Sequence, residues 1–304
     1  MIDIALVGTG GMMPLPGRFL SSMLARVNGK LILFDCGEGT QVSLRMLGWG
    51  FKQIDILCIT HCHGDHISGL PGLLLTMANA ERTEPLKIFG PKGTATVVNS
   101  LCIIAQDLPF PLDIEEWQGE NTYTDDLLSI HSLPLHHGIS CLGYSITLDR
   151  LGKFDPQKAK ENNIPLQIWG KLQKQNEETI VYNNITYHKS TVMGPPRQGL
   201  KVTFCTDTRP VKKLPDFAKD SNLFICEGLY GHPDEQEKTA GRKHMTFQEA
   251  ATIAAQAQVE ELWLTHYSPA LPDPYNYLHY ATDIFKNTKT GKDRMTKTIE
   301  YPKE

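Results

Sequence analysis

Three of the chain's 11 histidines fall inside THCHGDH, residues 60 to 66, with an aspartate between them. His61 and His63 stand two apart in what would be extended chain. Both imidazoles then point to one side, where they can grip a single metal ion. Asp65 and His66 follow Gly64, a residue that lets the backbone turn sharply, and can face a second ion nearby. Neutral imidazoles with carboxylates suit zinc, and manganese or iron less strongly. The alternative is a loop that carries surface histidines.

Something must hold such a loop still. The run Ile54 to Thr60 is apolar and β-branched and reads as a buried strand. From Ile67 to Asn79, Leu70, Leu73, Leu74 and Met77 fall at helical spacing, which predicts a helix. The histidines thus sit on a strand-to-helix loop, where function concentrates. One loop cannot complete two metal shells. Three later segments place a His or Asp within or after an apolar run: LPLHHGISCLGYSI with His136 and His137, KVTFCTDTRP with Asp207, and ELWLTHYSP with His266. A sheet can aim ligands from such positions. Further along, MTFQEAATIAAQA reads as a helix with Thr246 and Glu249 in capping-box positions.

A chain of 304 residues, 40% hydrophobic, can bury a large core as one large domain or two. No apolar run is long enough to span a membrane, and MIDIALVGTG reads as a strand and turn rather than a signal peptide. Seven cysteines at irregular spacing suggest reduced thiols in the cytosol. Cys58, Cys205 and Cys226 read as core. Strand alternation turns Cys62 away from the metals, the alternative being a redox-sensitive or metal-binding thiol. Near the start, GTGGMMP and PLPGRFLSS lack the P-loop pattern and read as a turn lining the site's edge. Between 150 and 193 the composition shifts: RLGKFDPQKAKENNIPLQIWGKLQK holds six basic residues against two acidic, in a chain of net charge −4. On charge alone this is a solvated, polar excursion with few periodic apolar positions. Near the end, KNTKTGKDRMTK reads as a solvated connection or hairpin. Overall acidity argues against indiscriminate nucleic-acid binding, though not against local patches.

His61-x-His63-x-Asp65-His66 with the three later segments resembles the metallo-β-lactamase superfamily. The stretches GTGGMMPLPGRFLSS, LFDCGEGTQ, HCHGDHISGLPGLL, PLHHGISCLGY, GPPRQGLKVTFCTDTRP, CEGLY, HMTFQEAATIAAQA and LTHYS resemble one branch of it, ribonuclease Z, in order and over nearly the whole chain. The resemblance implies a metallo-β-lactamase fold, a four-layered αββα sandwich, over residues 1–304. It implies a zinc-dependent endoribonuclease that hydrolyses a phosphodiester at the 3′ end of precursor tRNA, removes the trailer and leaves a 3′-hydroxyl. Residue by residue it assigns one Zn2+ to His61, His63 and His137, and another to Asp65, His66 and His266, bridged by Asp207; Mn2+ or Fe2+ are alternatives. The Pro-Leu-x-His pattern selects His137 over His136. Asp65 would also orient or deprotonate the attacking water. Glu227 and His244 match the family's acid pair, a carboxylate holding an imidazole that protonates the leaving oxygen. A cytoplasmic homodimer is also implied, with residues 150–193 as an inserted arm and tRNA-binding exosite.

The chain departs from the family in places. The arm's Gly-Pro tip is replaced by Leu166-Gln167-Ile168, where Trp169 could stack on a nucleotide or pin the arm to its own domain. Ala270 and Leu271 stand at the family's arginine and tyrosine positions, and Thr206 stands where glycine is preferred. A missing guanidinium there weakens the expected grip on RNA phosphate, unless Arg242 or Lys243 supplies the charge. Two other readings remain: a small-molecule hydrolase of the same superfamily, either a phosphodiesterase or an arylsulfatase-like esterase, and a catalytically inactive RNA-binding protein. Glu227 and His244 count against the last, since binding requires no proton donor.

Overall fold

The apolar runs of the sequence pair into two seven-stranded sheets. The computed structural model describes residues 1–174 and 178–302. The first sheet is built from β1 (Ile2–Gly8), β2 (Ser22–Val27), β3 (Lys30–Phe34), β4 (Ile54–Cys58), β5 (Leu86–Pro91) and β6 (Leu112–Trp117). The chain then makes β7 (Thr122–Asp125), β8 (Leu128–Pro134) and β9 (Leu142–Arg150), followed by a short hairpin, β10 (Thr179–Tyr182) and β11 (Ile185–His188). The remaining strands are β12 (Arg197–Cys205), β13 (Leu223–Glu227), β14 (Leu262–Thr265), β15 (Thr288–Thr290) and β16 (Thr296–Ile299). Sheet order is β16-β1-β2-β3-β4-β5-β6 in one and β15-β14-β13-β12-β9-β8-β7 in the other. Each is antiparallel at one end and parallel from β3 to β6 or β12 to β15. Parallel neighbours need crossovers. Helices Thr40–Leu47, Leu70–Asn79 and Thr94–Leu101 serve the first sheet, and Leu214–Ala218, Phe247–Gln256 and His279–Thr282 the second.

Side-chain alternation makes the layers. Ile2, Ile4 and Leu6 of β1 meet Leu200, Val202 and Phe204 of β12 in the core between the sheets. Outward residues such as Leu33 and Leu57 pack under Leu70, Leu73 and Met77, and Phe224 and Leu264 pack under Phe247 and Ala250. Each fully buried Leu or Phe stabilises by about 1.5–3 kcal/mol. Helix, sheet, sheet, helix is the metallo-β-lactamase sandwich.

Three local expectations change. The helix predicted from Ile67 to Asn79 is two, Gly64–Ile67 and Leu70–Asn79. A Cβ on Gly69 would meet Gly37 O at 2.0 Å, so loop packing sets the break, and Pro71 opens the second helix. Between β9 and β12, helices Pro156–Glu161 and Leu166–Lys174 and the β10–β11 hairpin enclose Ala159, Ile164, Ile168, Leu172 and Ile180 in a core of their own. The excursion is therefore not merely polar; residues 175–177 and the Lys174 side chain lie outside the described residues. The terminal KNTKTGKDRMTK stretch is no hairpin: β15 joins the second sheet and β16 the first, strapping the two together.

Candidate active site

The catalytic candidates gather at the carboxyl ends of parallel strands, where open sheets bind ligands. Asp35 follows β3, His61 to His66 follow β4, Asp207 follows β12, Glu227 ends β13 and His266 follows β14. Asp35, Asp207 and His266 adopt φ values of 57°, 49° and 59°, a left-handed conformation uncommon outside glycine. Three strands thus end in the same turn, and such turns concentrate at functional sites. Gly64 makes no such turn. It opens the short helix Gly64–Ile67 with free space where a Cβ would lie, and that helical turn carries Asp65 and His66.

Two sets of donors face one carboxylate. His63 Nδ1 lies 3.0 Å from His61 Nε2 and 3.1 Å from His137 Nε2. His66 Nε2 and His266 Nε2 are 3.2 Å apart, and lie 3.4 and 3.5 Å from Asp65 Oδ2. Asp207 Oδ2 faces the first set, 3.7 Å from His61 and 3.8 Å from His137. Its Oδ1 faces the second, 3.2 Å from His66 and 3.1 Å from His266. Neither of those close approaches has hydrogen-bond geometry, so the buried Oδ1 has no hydrogen-bond partner among the described residues. An orphaned carboxylate oxygen among converging imidazole nitrogens fits divalent cations, two groups of three donors with Asp207 between them. Burial lowers the pKa of His61 and His137, keeping their lone pairs free. Burial alone would raise Asp207, but His266, His66 and His61 hold it well below the carboxylate range. Burial likewise opposes His66 ionisation, yet Asp207 and Asp35 push its pKa well up. Charges that hold a proton so tightly would hold a dication in its place.

Glu227 and His244 form a separate pair beside this cluster. Glu227 is fully buried, accepting from the Thr208 amide and from the Met245 amide at 3.1 Å. Its Oε2 lies 3.1 Å from His244 Nδ1, leaving Nε2 for another partner. Burial works against protonation of His244. The neighbouring Glu227 and Asp207 outweigh it and raise the pKa to about 9. Asp207 Oδ2 lies 3.8 Å from His244 Nδ1.

The sequence analysis assigns no role to Asp35. It is wholly buried, accepts from the Thr60 amide at 2.7 Å and hydroxyl at 2.8 Å, and lies 2.8 Å from His66 Nδ1. That contact fixes the imidazole's orientation. The signal was present: Asp35 follows the strand-like KLILF just as Asp207 and His266 follow theirs. The glycine-rich turn does line the site. Met12 N donates to Asp65 Oδ2 at 2.7 Å, and a Cβ on Gly11 would come within 2.7 Å of the His266 ring.

Other candidates are elsewhere. His136 is exposed, its backbone bridged to Arg209. His131, His188, His232 and His279 join no metal-holding group among the described residues. Cys62 Sγ turns to Thr94 Oγ1, 3.7 Å away. Trp169 donates to Ile164 O at 2.9 Å and packs on Phe154, so it pins its own segment. Exposed Ala270 is followed by Leu271 and Pro272, whose carbonyls accept from Arg18 at 2.9 and 2.7 Å. Lys243 Nζ lies 3.1 Å from His137 O, while Arg242 is exposed.

A family profile described as Anti-Pycsar protein Apyc1 matches residues 2–102. The chain is 48% identical over 304 residues to a ribonuclease Z of Lachnoclostridium phytofermentans, covering 100% of this chain and 99% of the relative. It is 48% identical over 308 residues to a ribonuclease Z of Clostridium acetobutylicum, at 99% of both. Among solved structures, the short form of human tRNase Z superposes with a TM-score of 0.71 at 23% identity, over 98% of this chain and 100% of that one. The metallo-β-lactamase fold protein YhfI of Bacillus subtilis gives 0.70 at 18% identity, over 97% and 98%.

Proposed function

The chain belongs to the ribonuclease Z family, and from that premise we infer that it is a hydrolytic endoribonuclease acting at the 3′ end of precursor tRNA. The observation that carries the chemistry is Asp207, whose two oxygens face two separate donor sets. His61, His63 and His137 would hold one cation and Asp65, His66 and His266 the other, with zinc the metal this donor set suits best. Such a pair of cations supplies water made nucleophilic at neutral pH and neutralises charge on phosphate. The chain's own side chains do the rest. Asp65, fixed by the Met12 amide, orients the attacking water. Glu227 presents the His244 imidazolium, whose Nε2 protonates the departing ribose oxygen.

Residues 150–193 serve in this reading as a tRNA exosite. Exposed Lys158, Lys160 and Lys171 on a unit with its own core support it. Among the described residues no helix is long and apolar enough to cross a membrane. All seven cysteines are unpaired, which suits the cytoplasm, and family resemblance supports a homodimer. The deciding experiment incubates the purified protein with a precursor tRNA bearing a 3′ trailer, alongside bis(4-nitrophenyl) phosphate and with bound metal quantified. Cleavage at the trailer junction with about two zinc ions per chain is expected. Robust diester turnover without tRNA cleavage would favour the small-molecule phosphodiesterase reading.

A further inference from the structure

His244 sits between helices Gln236–Arg242 and Phe247–Gln256, and the first of them holds only its amide, which donates to Thr239 O at 3.0 Å. Its carbonyl is held by a guanidinium from another segment. Arg209, two residues past Asp207, places Nη1 2.6 Å from His244 O, 2.9 Å from Thr239 Oγ1 and 3.0 Å from Glu249 Oε2, while Nη2 reaches Glu249 Oε1. Glu249 is itself fixed by the capping box, accepting from Thr246 N at 2.9 Å. The same short segment grips the rest of the site. Thr208 N donates to Glu227, Thr208 Oγ1 accepts from His136 N at 3.0 Å, and Arg209 N donates to His136 O at 3.0 Å. Residues 207–209 therefore carry the Asp207 carboxylate and touch the Glu227 partner of His244, the loop of His137 and the backbone of His244.

We propose that Arg209, braced by Glu249, is a positioning residue that fixes where the His244 proton donor stands relative to Asp207. It touches no substrate; it acts through the His244 carbonyl. The inference rests on the reading of His244 as proton donor. Arginine suits the task because its planar fork holds several acceptors at set angles, whereas a lysine ammonium is a flexible point charge. A displacement of about 1 Å in a reacting group can cost on the order of a hundredfold in rate.

The test compares wild type, Arg209→Lys, Glu249→Gln and His244→Ala on precursor tRNA and on bis(4-nitrophenyl) phosphate, with metal content and melting temperature as controls. Nitrophenolate leaves without a proton, whereas a ribose alkoxide needs one. For Arg209→Lys we expect kcat on precursor tRNA to fall roughly tenfold or more, with KM and diester turnover within about twofold and metal retained. Glu249→Gln, which keeps the arginine and one capping oxygen, should show the same selective loss more mildly and stands in if Arg209→Lys fails to fold. Parallel losses on both substrates, loss of metal, or no change would overturn the positioning role. If His244→Ala itself shows no tRNA-selective loss, the proton-donor reading falls. If His244→Ala is selective and the other two are not, only the role of Arg209 falls.

Discussion

Asp35 illustrates how a residue outside the expected ligand set can govern one inside it. With Thr60 holding both its oxygens, the carboxylate has one orientation, and that orientation fixes the His66 ring. Burial raises the pKa of Asp35, against the opposing pull of His66 and of the Thr60 hydrogen bonds. Asp35→Asn keeps the volume and removes the charge. We expect metal affinity to fall about 10–100-fold, as it does when outer partners of ligating histidines are lost, with the melting temperature of the metal-free protein little changed. Competition titration with a zinc chelator reads this directly, and an unchanged affinity would show that His66 is oriented by packing alone. Among the proposed ligands, the sequence points to positions where a His or Asp follows an apolar strand. What it could not show was the shared left-handed turn at Asp35, Asp207 and His266, since φ is set by loop packing and not by residue type.

At the scale of elements, one acid reaches both ends of the strap from β15 to β16. Glu261, just before β14, accepts from Trp263 Nε1 at 2.6 Å and Lys289 Nζ at 2.7 Å, and from Lys297 Nζ on β16. Burial works against its ionisation, but Lys289, Lys297 and the Trp263 indole hold its carboxyl below the ordinary range. A carboxyl with a depressed folded-state pKa contributes stability above its unfolded value of about 4.3, and that contribution is lost as pH falls through the folded value. Glu261→Gln should therefore lower stability by about 1–3 kcal/mol at neutral pH. The gap to wild type should narrow as pH drops below about 4.3, measured by thermal melts across pH. A gap independent of pH would mean that the strap owes nothing to this charge. Strands and crossover helices were readable from apolar periodicity, and the capping box at Thr246 and Glu249 from two residues. The break at Ser68-Gly69 was not, because its cause is Gly37 in another loop. Nor was the small core between β9 and β12, whose apolar positions are interleaved with lysines.

For the whole molecule, the segment between β9 and β12 poses the sharpest question, because its ends already meet. Phe154 pairs with Met193 as an antiparallel bridge, Asp155 N donates to Val192 O at 2.7 Å and Gly194 N to Lys153 O at 2.7 Å. A Cβ on Gly152 would strike Gly194 O at 2.0 Å, so the outgoing and returning chains are in tight contact. Replacing residues 155–192 by a two-glycine turn would leave both large sheets and their cores intact, since Ala159, Ile168 and Leu172 pack within the segment. The removed surface carries Lys158, Lys160 and Lys171, exposed cations on a chain of net charge −4. Such charges add affinity through phosphate contacts that weaken with salt, and they take no part in bond making. The excised protein should keep its metal and its turnover of bis(4-nitrophenyl) phosphate, while KM for precursor tRNA rises roughly tenfold at low salt with kcat little changed. The wild-type advantage should then shrink as salt is raised. Equal loss of both activities would instead show that the two sheets need this segment to fold, and a KM unaffected at every salt concentration would place the RNA contacts elsewhere on the chain.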